Sequence, residues 1–156
     1  MVNSIFVINI FKKMKPNFVK NVSTWGNHPI VNKLFKAEED YSKIREFVRQ
    51  NNEVIAYGNG RCYGDAALAE AMFSTKKLNK FISFDRLNGI LECESGVLLS
   101  EILEITVPHG YFLAITPGTK FITLGGAIAS NVHGKNHHAE GAFSECVIEF
   151  KMMVED

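Results

Sequence analysis

Two stretches of this sequence concentrate residues that could hold or transform a ligand. The first, "YGNGRCYGD" at 57–65, places Gly58, Gly60 and Gly64 within seven positions, directly after a short apolar run. Glycines permit positive φ and close backbone approach, so successive amide N–H groups can turn inward and form a concave anion site without any lysine. The spacing is G-x-G-x-x-x-G, which departs from the dinucleotide fingerprint, and no Walker lysine follows it. No βαβ unit of roughly 30 residues is expected around it. A tight connection between two core elements would use the same glycines, and both readings stay open on spacing alone.

The second stretch, "TPGTKFITLGGAIASNVHGKNHH" at 116–138, joins a Pro117-Gly118 turn to the pair Gly125 and Gly126 and the small residues Ala127, Ala129 and Ser130. So little side-chain volume costs packing and backbone entropy, so either two backbones approach closely there or a flat ligand lies against it. His133 and His137, at i and i+4, could share a metal on a helix, but Gly134 and Asn136 argue against a helix. With no HExxH glutamate and no nearby cysteine ligand, no metal is expected, and a polar ligand-facing loop is. Asp65 and Glu140 are single carboxylates, and no GxSxG elbow is present. Cys62 beside Arg61 could carry a lowered thiol pKa, although a small packing residue is the expected role.

These loops need a scaffold. "AEEDYSKIREFVRQNN" at 37–52 has helical spacing, acids early and arginines late, and predicts an amphipathic helix. "EVIAYG" then reads as a buried strand entering the first loop. "MFSTKK", "FISFD" and "GILECESG" predict neighbouring strands, and "LLSEILEITVPHG" a second helix ending before Pro108 and Gly110. A strand to Thr116, a turn at Pro117 and Gly118, a small-residue stretch from Gly125 to Asn131, a polar histidine-rich loop and a last strand in "SECVIEFKMMV" complete the pattern, with no internal repeat. The expected class is α+β, small sheets packed with helices.

The chain has 156 residues, 17 basic against 17 acidic, zero net charge and 46% apolar residues, which describes one soluble globular domain. Its size suffices for a core without disulfides or structural metal. Zero net charge argues against a nucleic-acid partner. Cys62, Cys93 and Cys146 are odd in number and never form CxxC, which fits a reducing cytoplasm. The opening "VNSIFVINIF" is too short to span a membrane, and its lysines follow the run instead of preceding it. Residues 1–13 are either an extension before the more ordinary start at Met14 or an N-terminal strand.

Read together, "AYGNGRCYGDAAL", "ESGVLLSEILE", "GYFLAITPGTKFITLGGAIASNVHGKNHH" and "EGAFSECVIEF" resemble the FAD-binding domain of the vanillyl-alcohol oxidase superfamily, the PCMH-type fold. Within it the chain is most similar to the decaprenylphosphoryl-β-D-ribose oxidase branch. The resemblance covers 25–156, leaving 1–24 as an N-terminal extension. It implies that Gly58, Asn59, Gly60, Arg61, Cys62 and Tyr63 wrap the FAD pyrophosphate through backbone amides, with Asp65 and a tyrosine hydroxyl fixing the loop and Tyr57 and Gly64 belonging to the same cofactor site. Gly118 and Thr119, then Thr123, Leu124, Gly125 and Gly126, would line the diphosphate and ribityl chain. Ser130, Asn131, Val132, His133 and Gly134 would reach the isoalloxazine, with His133 as the catalytic candidate beside the ring.

Two departures from the family pattern carry expectations. Arg61 stands where lactone oxidases carry a histidine joined covalently to the flavin, so FAD should be non-covalent; Cys62 replaces the branch's usual serine. Family members also continue beyond the position of Asp156 into a substrate-binding domain. The segment alone is therefore expected to be inactive, and its sheet edge invites a homodimer. The implied function is an FAD-binding segment of an oxidoreductase acting on a CH–OH group of a sugar, polyol or lipid-linked sugar. Alternatives are an alditol or aldonolactone oxidase segment, or a non-catalytic binding module.

Overall fold

The computed structural model describes residues 18–154, so the readings of residues 1–13 lie outside the described part. Strands β1 (Phe18–Val22), β2 (Val31–Ala37), β3 (Val54–Tyr57) and β4 (Ala71–Ser74) form one sheet in the order β1-β2-β4-β3. β1 runs antiparallel to β2, whereas β2, β4 and β3 are mutually parallel. The boundary expected at Trp25 thus falls between two paired strands of a single sheet. β4 is buried along its whole length, as a central strand covered on both faces should be.

Helix α1 (Tyr41–Arg49) is shorter than the periodicity predicted. Ala37 is the last residue of β2, and Asp40 is the N-cap, its carboxylate accepting from the Ser42 amide at 2.9 Å. Ile44 and Phe47 turn onto the sheet and build a first core with Ala71, Phe73 and Leu78. β2, α1 and β3 therefore make a βαβ crossover, contrary to the expectation that none was present. β4 lies between its two strands, and the glycine-rich loop leaves the second strand, not the first.

β5 (Phe81–Asp85) and β6 (Ile90–Cys93) pair antiparallel as a separate two-stranded sheet, so "MFSTKK", expected beside them, instead supplies β4 of the first sheet, where its apolar residues are buried between β2 and β3. α2 (Leu99–Thr106) begins with the Glu101 carboxylate accepting from the Leu98 amide at 2.7 Å and runs into a 3-10 turn closed by Gly110 at φ 83°. Val97, Leu99, Ile102, Ile115, Ala127 and Phe143 form a second core.

Three expectations after Gly110 change. The strand predicted to Thr116 makes no ladder, although Ile115 is buried in the second core. The small-residue stretch becomes a short helix, α3 (Leu124–Ala129), and a further turn, α4 (His137–Glu140), follows. The predicted last strand is a 3-10 turn at Phe143–Cys146 and then a chain with no ladder partner among the described residues. Every residue from Ile148 to Val154 is exposed, and a strand needs a neighbour to bond.

Candidate functional site

The loop at 58–65 leaves β3 at the C-terminal edge of the parallel strands, the edge where open α/β sheets bind ligands. It is tied from behind. The Tyr57 hydroxyl donates to the Ser23 carbonyl at 2.5 Å, the Thr24 hydroxyl donates to the Gly64 carbonyl, and the Trp25 amide donates to the Cys62 carbonyl at 3.1 Å. Burial pushes the Tyr57 phenol above its ordinary pKa, with Cys62 adding and Arg61 opposing, so the hydroxyl stays a donor. The tyrosine hydroxyl that fixes the loop is therefore that of Tyr57. Tyr63 is 81% exposed, and Asp65 does not fix the loop through its side chain as expected: among the described residues only its backbone carbonyl is bonded, accepting from the Leu68 amide at 2.8 Å.

Gly60 sits at φ 62°, and a Cβ there would run into the Tyr57 hydroxyl, so the turn admits only glycine without strain. The amide N–H groups of residues 59–65 have no acceptor among the described residues. Among the described residues the loop is thus held by its carbonyls and side chains, not by its amide donors. A surface carrying several such donors suits an anion.

The second stretch meets the first. Asn59 Nδ2 donates to the Phe121 carbonyl at 2.7 Å, and a Cβ on Gly58 would lie 2.5 Å from Thr123 Oγ1. Thr123 is buried and caps α3, accepting from the Gly126 amide at 3.1 Å. The other first-turn amides are bonded internally: Leu124 donates to the Val97 carbonyl at 2.7 Å and Gly125 to the Ser95 carbonyl at 2.8 Å. Gly125 serves close packing, since its Cβ would lie 2.9 Å from that of Ser95. Gly118 has open space around it and Thr119 is half-buried, so both can face a ligand.

Ser130, Asn131 and His133 are exposed, Val132 is half-buried and Gly134 is buried. Asn131 adopts φ 40°, and its Oδ1 accepts from the Ser144 amide at 2.9 Å. Val132 is bonded on both sides, its amide to the Ala127 carbonyl at 3.1 Å and its carbonyl to the Phe143 amide at 2.8 Å. Gly134 packs under Thr116, whose carbonyl would lie 2.6 Å from an added Cβ. The His133 ring meets the His137 ring edge-on, centroids 5.1 Å apart. His137 opens α4 while His133 lies outside it in a backbone bridge to Ala142, so the i, i+4 pair does not share a helix. Among the described residues no group of three His, Cys, Asp or Glu side chains could hold a metal. No helix among them is long and apolar enough to cross a membrane.

A family model described as an FAD binding domain matches residues 33–156. The chain belongs to that family. The decaprenylphosphoryl-β-D-ribose oxidase of Mycolicibacterium smegmatis is 32% identical over 145 residues, covering 88% of this chain and 32% of that protein. The probable mitochondrial D-2-hydroxyglutarate dehydrogenase of Oryza sativa subsp. indica is 28% identical over 128 residues, covering 79% of this chain and 23% of its own length. Cholesterol oxidase from B. sterolicum superposes with a TM-score of 0.61 at 12% identity over 85% of this chain and 27% of that one, a likeness of fold. The chain thus spans about a third or less of these proteins. It has the PCMH-type fold of FAD-binding domains, its cofactor is FAD, and its family is one of flavin-dependent oxidoreductases.

Proposed function

We propose that this chain holds the diphosphate of non-covalent FAD in the loop at 58–65, as part of an oxidoreductase that oxidises a CH–OH group of a sugar, a polyol or a lipid-linked sugar. One observation carries the reading: the amide donors at 59–65 have no acceptor among the described residues, while the loop is clasped through Ser23, Thr24, Trp25 and Phe121. A preformed cradle of this kind binds an anion with little ordering cost. Arg61 cannot form a histidyl–flavin bond, which supports a non-covalent site. The sugar substrate rests on the name of the decaprenylphosphoryl-β-D-ribose oxidase relative, and the D-2-hydroxyglutarate dehydrogenase relative adds support for a CH–OH donor.

Bound FAD would supply a two-electron acceptor. The residues around it bind and orient: the cradle fixes the diphosphate, Gly118 and Thr119 offer backbone and hydroxyl groups beside it, and Gly126 stays open on the exposed side of α3. His133 is the candidate to hold a proton near the flavin ring, since its imidazole is exposed and seated against His137. The substrate contacts, the homodimer and the cytoplasmic setting belong to the same proposal, the last supported by three free cysteines. The test is to load the chain with FAD, desalt it, record the visible spectrum and precipitate with acid. Flavin retained and then released into the supernatant is the expected result. Flavin left in the pellet overturns the non-covalent site.

A further inference from the structure

Ser23, Thr24 and Trp25 lie outside both glycine-rich stretches, yet each bonds the loop or its Tyr57 anchor. Trp25 adds its side chain to that clasp. The Arg61 guanidinium carbon sits 5.3 Å from the indole centroid, within the range of a cation–π contact. Arg61 is exposed and has no carboxylate at ion-pair distance among the described residues. An exposed arginine ordinarily samples many rotamers, and holding it in one place carries an entropy cost that the indole face offsets. The stacked cation therefore adds a fixed positive charge to a loop whose amides already favour an anion.

A planar guanidinium carried on a loop whose amides have no acceptor among the described residues suits a phosphate group, which accepts paired N–H bonds. Riboflavin has no phosphate and would gain nothing from it. We propose that Trp25 is a positioning residue that holds Arg61 at the amide cradle as its fixed charge and so favours the pyrophosphate-bearing form of the flavin. The inference rests on the reading that the loop at 58–65 binds FAD.

The experiment is calorimetric titration of the full chain and its variants Trp25→Ala, Trp25→Phe, Arg61→Ala and the double alanine variant, with FAD, ADP and riboflavin as probes. Arg61→Ala should weaken FAD and ADP about 10-fold or more, the scale of a lost charge-assisted bond. Trp25→Ala should weaken both about 3- to 5-fold, and Trp25→Phe should keep affinity within about twofold. The double variant should be no weaker than Arg61→Ala, because the indole acts through the guanidinium. Riboflavin affinity should be the same throughout, and added salt should narrow the gap between wild type and variants.

Trp25 is 54% exposed, so its removal leaves no cavity, and circular dichroism checks each variant for folding. Should the alanine variant unfold, Trp25→Leu keeps apolar bulk without the ring and makes the same comparison. A wild type that binds FAD together with a Trp25→Ala variant of equal FAD affinity overturns this inference alone. An equal loss for riboflavin also overturns it, because that pattern marks a purely structural role. A wild type that binds neither FAD nor ADP overturns the FAD reading and this inference with it.

Discussion

Gly58→Ala isolates the contact that joins the two ligand-facing stretches. Gly58 is not among the residues at positive φ, so alanine meets no backbone penalty there, and the substitution on its own would stabilise by about 0.4–1 kcal/mol through the unfolded chain. The added Cβ lies 2.5 Å from Thr123 Oγ1, about 1 Å inside ordinary contact. Thr123 is only 2% exposed and its hydroxyl caps α3, so it cannot swing into solvent. Turning the hydroxyl away forfeits the cap, about 1 kcal/mol, and leaves a buried hydroxyl unbonded, about 1–3 kcal/mol more. Overpacking without rotation costs a similar 1–3 kcal/mol. The net destabilisation should be about 2 kcal/mol.

The double variant provides the control. Thr123→Ala alone should cost about 1 kcal/mol from the lost cap. In Gly58→Ala/Thr123→Ala the two nearest atoms to the methyl group at position 58 are gone, and the Cβ at position 123 lies at an ordinary 3.5 Å. The pair should therefore be no less stable than Thr123→Ala. Urea unfolding followed by the emission of Trp25, the only tryptophan, together with far-ultraviolet circular dichroism, measures all four proteins. A Gly58→Ala variant as stable as wild type, or additive losses in the double variant, would refute the reasoning.

Other outcomes follow from named groups. Burial, with the Glu94 charge second, pushes the Cys93 thiol up to about 11, so at pH 8 mass spectrometry after alkylation should find exposed Cys146 modified well before Cys93. A thiol pKa raised on folding favours the protonated fold, so this contribution is full below pH 9 and is lost as the pH rises toward 11, which a pH series of melting curves would show. The Asp40 carboxyl is held below its ordinary pKa, first by the Ser42 hydroxyl and then by the Ser42 amide. Its contribution is present above the unfolded value and lost as the pH falls through the folded one, so Asp40→Ala should lower the melting temperature at pH 7 and change little at pH 2. The exposed row Ile148, Phe150, Met152 and Val154 should make the chain self-associate, and Phe150→Lys should lower the apparent mass in light scattering.

Periodicity made α1, β3, the β5–β6 hairpin and α2 legible, because each carries its apolar face in its own sequence. α3 was not legible. Leu124, Gly125 and Gly126 have poor helix propensity as a group, and the helix exists because Thr123 caps it and Val97 and Ser95 accept its first amides. Those two acceptors lie far from it along the chain. The strand-like segments before Thr116 and after Val147 show the converse, since an apolar stretch suits a strand and says nothing of whether a neighbouring strand is present to bond it.

Within the site, the glycines at 58 and 60 could be read as positions needing close approach or positive φ, and the structure gives each a specific neighbour. The clasp by Ser23, Thr24 and Trp25 left no trace in the sequence, because backbone atoms make most of it. Gly125 shows how two explanations share one signal. A flat ligand and a close backbone both demand a missing side chain, and the neighbour here is Ser95.

The most direct measurement of the central claim is an equilibrium titration of the chain with FAD, following the visible flavin band, alongside Gly60→Val. Wild type should saturate, while the valine variant, with its side chain driven into Tyr57 and its φ forbidden, should bind at least about 10-fold more weakly. Equal FAD affinity in both proteins would contradict the account, because the loop at 58–65 would then not be the cofactor's seat.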